Sequence, residues 1–434
     1  MTALATKTMT VADMSPASRS DATTVSVALR YVLSAMGPVC VSVTHFAIAL
    51  VFLHNFPRGN FGLFSFLLVV SAFSLSFCGA MFAPPISVRG SRPDDMPHAE
   101  LLSLFKSNLV FSLISASAVA MVMFLCGAGL PLAALFGVYA GVMSLRWFAR
   151  CWTYAEADPG RVLVSDLAYS VLLAGCVIVL FTMHRLTALS AATVLVLSGI
   201  AGLLVLDMRN AGLYFRALRH GRFAPYIAMW RNMSSWAVLG VVLSELTVNA
   251  HAYLVTFISG PHAFAVLALG SLLMRPVSLV LAALPDMERP LMARALIGGD
   301  TGRALRAVNH FRTAAGAIWL ATVALGAALL TWFPHLLLKE DYPFREVAVV
   351  VVIWGIIMAS RAARTPDSVL LQSAGEFRRL ASAGAWSSAV SLTATLLLLL
   401  TIGPIAALCG ILLGDLVATR MIFVLARRWK AQHA

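Results

Sequence analysis

Runs of about twenty residues, dominated by Ala, Val, Leu, Ile and Phe and nearly free of charge, recur along the whole of this chain. That is the length a helix needs to cross roughly 30 Å of hydrocarbon at about 1.5 Å per residue. No water-soluble fold of 434 residues can hide so much apolar surface: hydrophobic residues make up 60% of the chain and charged ones 12%. An ordinary soluble domain has about 45–50% and about 25%. The bilayer is therefore the solvent for most of the chain. The pattern predicts an all-α integral membrane protein with about twelve transmembrane helices.

Spans are expected near residues 31–53, 61–82, 108–129, 131–149, 162–183 and 190–208, and again near 234–259, 262–285, 311–333, 346–363, 380–402 and 404–426. Residues 1–29 are rich in Ser, Thr and Ala and hold no apolar segment leading to a cleavage site, so they read as a disordered cytoplasmic tail. Residues 30–208 and 234–434 form two six-helix lobes. Between them, 209–233 is a basic cytoplasmic linker with Arg216, Arg219, His220, Arg222, Tyr226 and Trp230. It reads as a surface helix lying among anionic headgroups.

The net charge of +13 could point to nucleic acid, but the basic residues sit in short clusters between apolar runs, not on one face or tail. Topology accounts for them. With the N-terminus in the cytoplasm, 27 of the 32 Lys and Arg fall on that side, against Arg58, Arg185, Lys339 and Arg345 on the other, and Arg275 lies inside a span. Positive charge stays with cytoplasmic loops, so both termini are expected there, and gaining or losing one span would scramble the partition. The six cysteines have no CxxC spacing and no adjoining His cluster, so neither a disulfide nor a metal site is expected, nor any cofactor. The external loops are short, the longest near 334–345, and no paired carboxylates, Ser-His arrangement, GxGxxG or P-loop stands at a loop. An enzyme is not expected.

Ionisable groups inside a span cost roughly 2.5–3.5 kcal/mol at its centre, so each needs a partner, a cavity or a function. Glu245 and Arg275 both approach the midplane, on antiparallel spans. Glu245, Asn249, Tyr253 and Thr256 share one helical stripe, and Ser271, Arg275 and Ser278 another. Two readings stand: a static Glu245–Arg275 ion pair pinning two helices, or a binding site in which Arg275 contacts an anion and Glu245 is its charge partner or a proton-linked switch. His45 and His251 are cavity candidates able to change charge between about pH 5 and 8. Asp415, in the last span, is buried neutral or paired, and Asp166 and Arg146 read as boundary residues. Pro38, Pro131, Pro276 and Pro404 mark bends or tight helix starts.

The two halves begin alike, with FLHNFPRGNFGLFSFLLVVSAF at 52–73 and FISGPHAFAVLALGSLLMRPVSLV at 257–280, a parallel internal repeat. The first outer turn PRGNFGLF (57–64), the hairpin 249–294, VLLQSAGEFRRL (369–380) and PIAALCGILLGD (404–415) resemble, in order, segments of polysaccharide flippases. These are the O-antigen and exopolysaccharide translocases of the multidrug/oligosaccharidyl-lipid/polysaccharide exporter superfamily. The resemblance implies two six-helix lobes around a central cavity, alternating access, and undecaprenyl-diphosphate-linked oligosaccharide as cargo. It further implies a bacterial inner-membrane location and work beside a polysaccharide polymerase and glycosyltransferases. Expected cavity residues are Arg275, Asn249, Tyr253, Ser271, Ser278 and His45, with Glu245, His251 and Asp415 as ion-coupling or charge partners. The rivals are a cation-coupled multidrug exporter of the same superfamily, which needs acidic groups for cationic drugs, and a membrane-embedded glycan-modifying transferase.

Overall fold

The computed structural model describes residues 16–89, 96–156, 158–334 and 342–433. Residues 1–15 of the expected tail and Lys339 lie outside them. The first lobe comprises α1 (Pro16–Asn55), α2 (Arg58–Arg89), α3 (His98–Leu125), α4 (Leu130–Ala155), α5 (Pro159–Thr182) and α6 (Ala188–Asp207). A linker follows, with α7 (Ala211–His220), α8 (Ala224–Met229) and a π turn (Trp230–Ser234). The second lobe holds α9 (Ser235–Val248), α10 (Ala250–Ser259), α11 (Pro261–Leu273), α12 (Arg275–Ile297), α13 (Thr301–Trp332), α14 (Phe344–Ser373), α15 (Phe377–Thr401) and α16 (Ala407–His433). No strand occurs among the described residues. Helix α1 begins at Pro16, so the segment 16–29, expected as tail, is helical; proline suits a first helical turn, where its missing N–H has no partner to lose.

Ten helices are long and apolar enough to cross a bilayer, and two bent pairs bring the number to as many as twelve. The chain is a multi-pass membrane protein. The pairs are the seventh and eighth expected spans. Helices α9 and α10 meet at 55°, and α11 and α12 at 58°. The seventh was expected as one continuous span, and the eighth as a span with a bend or tight start marked by Pro276. The first break falls at Asn249, whose backbone leaves the helical region (φ −118°, ψ 6°). The second has a clearer cause: Pro276 has no N–H to give to the carbonyl one turn back, so the ladder stops and restarts at Arg275.

Helix ends are set locally. Asp158 accepts the N–H of Arg161 at the start of α5, Thr187 and Ser190 form a reciprocal capping box on α6, and Asp300 accepts the N–H of Arg303 on α13. Lipid tails are as apolar as leucine, so close packing and hydrogen bonds between helices hold a membrane bundle together. Ser74 lies 2.6 Å from Ser115, joining α2 to α3, and Ser387 donates to the Gly414 carbonyl at 2.9 Å, joining α15 to α16.

The linker is more than a surface helix. Its inner side docks on the first lobe: Tyr226 stacks on Phe82 at 5.3 Å, Tyr226 and Ser234 donate to the Met81 carbonyl at 3.2 and 2.7 Å, and Lys106 donates to the Gly221 carbonyl at 2.9 Å. Phe215, Leu218 and Ile227 face outward.

The lobes meet at the end remote from the two described chain ends. There α2 crosses α11 so closely that a Cβ on Gly62 would lie 1.9 Å from the Pro261 carbonyl oxygen. Arg58 donates to the His262 carbonyl at 3.2 Å, approaches Glu346 at 3.5 Å and lies over the Tyr342 ring at 5.3 Å. Replacing Gly62 with Val is expected to pry this latch open. A His262→Cys probe in a cysteine-free background should then react several-fold faster with an impermeant maleimide; unchanged labelling would contradict the contact.

Candidate functional site

A cavity of about 450 Å³ lies between the lobes. Helix α1 contributes Pro38, Ser42 and His45, α2 contributes Phe61, Ser65 and Ser71, and α4 contributes Tyr139, Arg146, Trp147 and Arg150. The second lobe supplies Asn249, Phe264, Ser271 and Arg275. Both broken spans therefore bring their breaks to the cavity, at Asn249 and at Arg275. Helix α12 begins at Arg275, so its N-terminal, electropositive end starts at the cavity wall. Among the described residues no Asp or Glu lines the cavity.

On the first-lobe wall the arginines are fixed. Arg146 donates to Asp166 at 2.7 Å and to the Ser165 hydroxyl at 3.2 Å, and its guanidinium lies 4.6 Å from the centre of the Tyr169 ring. Arg150 reaches both oxygens of Asp166 at 2.8 Å. Asp166 sits behind the wall, 1% exposed. Helix α1 can approach it only because residue 37 is glycine: a Cβ there would lie 2.1 Å from Asp166 Oδ2. One carboxylate thus serves two guanidinium groups, leaving one net positive charge on this wall. His45 Nε2 is 2.7 Å from the Tyr169 hydroxyl, which is 3.1 Å from that of Tyr139. This chain of rings orients His45 at the cavity surface.

Asp166 and Arg146 were read from their depth as boundary residues; the structure adds that they form a buried ion pair beside the cavity. Arg146 and Arg150 are the functional candidates the sequence reading missed. Their i, i+4 spacing puts both on one face of α4, and that was the available signal. The second lobe has its own version, with Asp415 held by Arg361 at 2.9 Å and also by Arg364. In each lobe the fourth span supplies the arginine pair.

Of the expected cavity residues, Arg275, Asn249, Ser271 and His45 share the cavity lining. Tyr253 and Ser278 do not. Tyr253 packs on Phe66 and donates to Glu245 at 2.6 Å, while Ser278 bonds the Met274 carbonyl at 3.4 Å and meets Met358 Sδ at 3.7 Å. Glu245 was expected to face Arg275; its carboxylate is taken by Tyr253 instead. Arg275 has no carboxylate within ion-pair distance among the described residues. The reason is geometric: the bend at Asn249 carries α9 away from the line of α10, so two residues placed at one depth by counting along straight helices part company. His251 is buried against Trp354 and Phe264 and lies off the cavity, as does Asp415.

No protein-family model matches the sequence, and no curated protein matches it. Solved structures do. A multidrug-resistance MATE transporter of the MOP superfamily in its inward-facing conformation superposes with a TM-score of 0.62 at 15% identity, covering 93% of this chain and 98% of that one. An outward-facing multidrug-resistance MATE transporter of the same superfamily gives 0.56 at 15% identity, over 93% and 96%. A MOP-superfamily transporter from Pyrococcus furiosus gives 0.57 at 15% identity, over 93% and 95%, and is described as having a binding pocket of reverse polarity that suggests a different function. The superpositions run along almost the whole length of both partners, and the chain has the fold of the MATE transporters of the MOP superfamily.

Proposed function

We propose that this protein is an alternating-access transporter whose cavity takes an anionic amphiphile, with lipid-linked diphosphate oligosaccharide as the cargo. The observation that carries this reading is the charge of the lining. Arg275 on one lobe and the partly neutralised Arg146–Arg150 pair on the other face a shared space without a lining carboxylate among the described residues. A diphosphate has an anionic group for each wall, and guanidinium groups suit it because they hydrogen-bond phosphate oxygens in pairs. The start of α12 adds favourable potential, as broken helices do at other transporter midplanes. Closure at the Arg58 end leaves the cavity to fill from the basic end, which the distribution of Lys and Arg assigns to the cytoplasm. Glycosyltransferases would supply the lipid-linked unit and a polymerase would consume it.

The second reading is multidrug export, and the described roles of the MATE neighbours favour it. Cationic drugs call for carboxylates; none lines the cavity among the described residues, and Asp166 and Glu245 are engaged, by two arginines and by Tyr253. Reconstituted proteoliposomes separate the two. Flipping of a fluorescent isoprenyl-diphosphate oligosaccharide, with no cationic dye efflux and no drug resistance on overexpression, is the expected result. Dye efflux without flipping would replace the first reading with the second.

A further inference from the structure

The second lobe carries a groove on an exposed face that shares no lining residue with the central cavity. It lies between α15 and α16, holds about 370 Å³, and is lined by Arg379, Arg420 and Arg428 together with Met421, Val424 and Leu425. On α16 the residues 420, 421, 424, 425 and 428 follow helical spacing, so they make one stripe. Arg420 and Arg428 are eight residues apart on it, about 12 Å along the axis. Arg428 lies in the last turns of α16 and Arg379 in the first turn of α15, so the groove opens at the end of the bundle that carries the chain termini.

The charges in this groove are largely uncompensated. Arg379 pairs with Glu376 at 3.2 Å. Arg420 and Arg428 have no ion-pair or hydrogen-bond partner among the described residues. Exposed arginines at the edge of a membrane bundle ordinarily reach individually for water. Here the two share a stripe with apolar side chains between them, near the end of a span. The combination suits one class of ligand, with phosphate for the arginines and a hydrocarbon chain for Met421, Val424 and Leu425.

We infer that this groove is a binding site for an anionic phospholipid of the surrounding leaflet, seated with its phosphate between Arg420 and Arg428 and an acyl chain along α16. Basic recesses between transmembrane helices recognise such headgroups. The site is independent of the transported cargo, and it would fix the α15–α16 pair to the leaflet while the lobes move.

Native mass spectrometry of the delipidated full-length chain, titrated with cardiolipin or with phosphatidylcholine, tests the inference. Cardiolipin is expected to bind and to raise the unfolding temperature, and phosphatidylcholine to do neither. The double variant Arg420→Gln/Arg428→Gln should lose roughly tenfold or more in cardiolipin affinity, two phosphate-facing charges having been removed. The control Arg303→Gln/Arg306→Gln removes the same charge from exposed positions at the start of α13 and should bind like the parent. Equal binding of both lipids, equal loss in both variants, or full retention in the groove variant would each overturn the inference. Transport is not read in any arm, so failure here leaves the cargo assignment standing.

Discussion

Replacing Arg275 with Ala is expected to abolish transport of the anionic cargo while leaving protein levels and folding near normal. Arg275 lines the cavity and has no carboxylate partner among the described residues, so its removal breaks no ion pair and orphans no buried acid. On the proposed function, what it removes is a charge-assisted contact to phosphate. Truncating one side of such a contact costs about 2–5 kcal/mol, so affinity should fall by roughly thirty-fold or more. Arg275→Lys keeps the charge but loses the paired donors, and partial transport is expected. Export assays at matched expression check both variants. Normal export with Ala would remove Arg275 from the site, and loss of export with loss of folded protein would mean it holds the break between α11 and α12.

Asp166→Asn acts in the opposite sense, on stability first. It leaves Arg146 and Arg150, 5% and 12% exposed, beside a neutral amide. Breaking a buried pair by removing one partner typically costs about 3–5 kcal/mol, because the remaining charge is left uncompensated. A large drop in thermal stability in detergent is therefore expected, and adding Arg146→Met should recover part of it. A further consequence separates a structural acid from one that also sets the cavity charge. With the carboxylate gone, the first-lobe wall gains a positive charge, so isoprenyl diphosphate should stabilise Asp166→Asn more than it stabilises the parent. Equal stabilisation of the two would place Asp166 outside the site's electrostatics.

The architecture was readable in the order of the apolar runs, because a span in lipid is fixed by length and hydropathy and owes little to distant contacts. The all-helical, multi-pass plan rests on that. The site was readable only in part. Arg275 stood out as the single basic residue inside a span, Asn249 and Ser271 as positions on polar stripes, and His45 as a histidine within the first span. Counting along straight helices then failed at Glu245, since the bend at Asn249 cannot be seen in the composition of the span and a Tyr253 hydroxyl proved the nearer partner. At Arg146 it gave a depth but no neighbours: α4 carries Arg146 and Arg150 beside the cavity. Asp166, which makes those arginines affordable in a buried wall, belongs to another helix, and only tertiary packing around Gly37 brings it there.

The linker shows a similar limit. Its basic and aromatic residues announced an interfacial helix, but the docking of Tyr226 and Ser234 on the Met81 carbonyl depends on Pro85, which has no N–H to occupy that carbonyl from within α2. That contact makes the linker a brace on the first lobe as well as a surface element.

The central claim is that the cavity between the lobes selects a diphosphate-bearing lipid. Titrating the purified full-length chain with undecaprenyl diphosphate, and following intrinsic fluorescence against a Trp147→Phe control, tests it most directly, because Trp147 lines that cavity. Saturable binding is predicted that undecaprenol does not reproduce, that a cationic dye does not displace, and that Arg275→Ala removes. Binding of the dye with no response to the diphosphate, or diphosphate binding indifferent to Arg275, would contradict it.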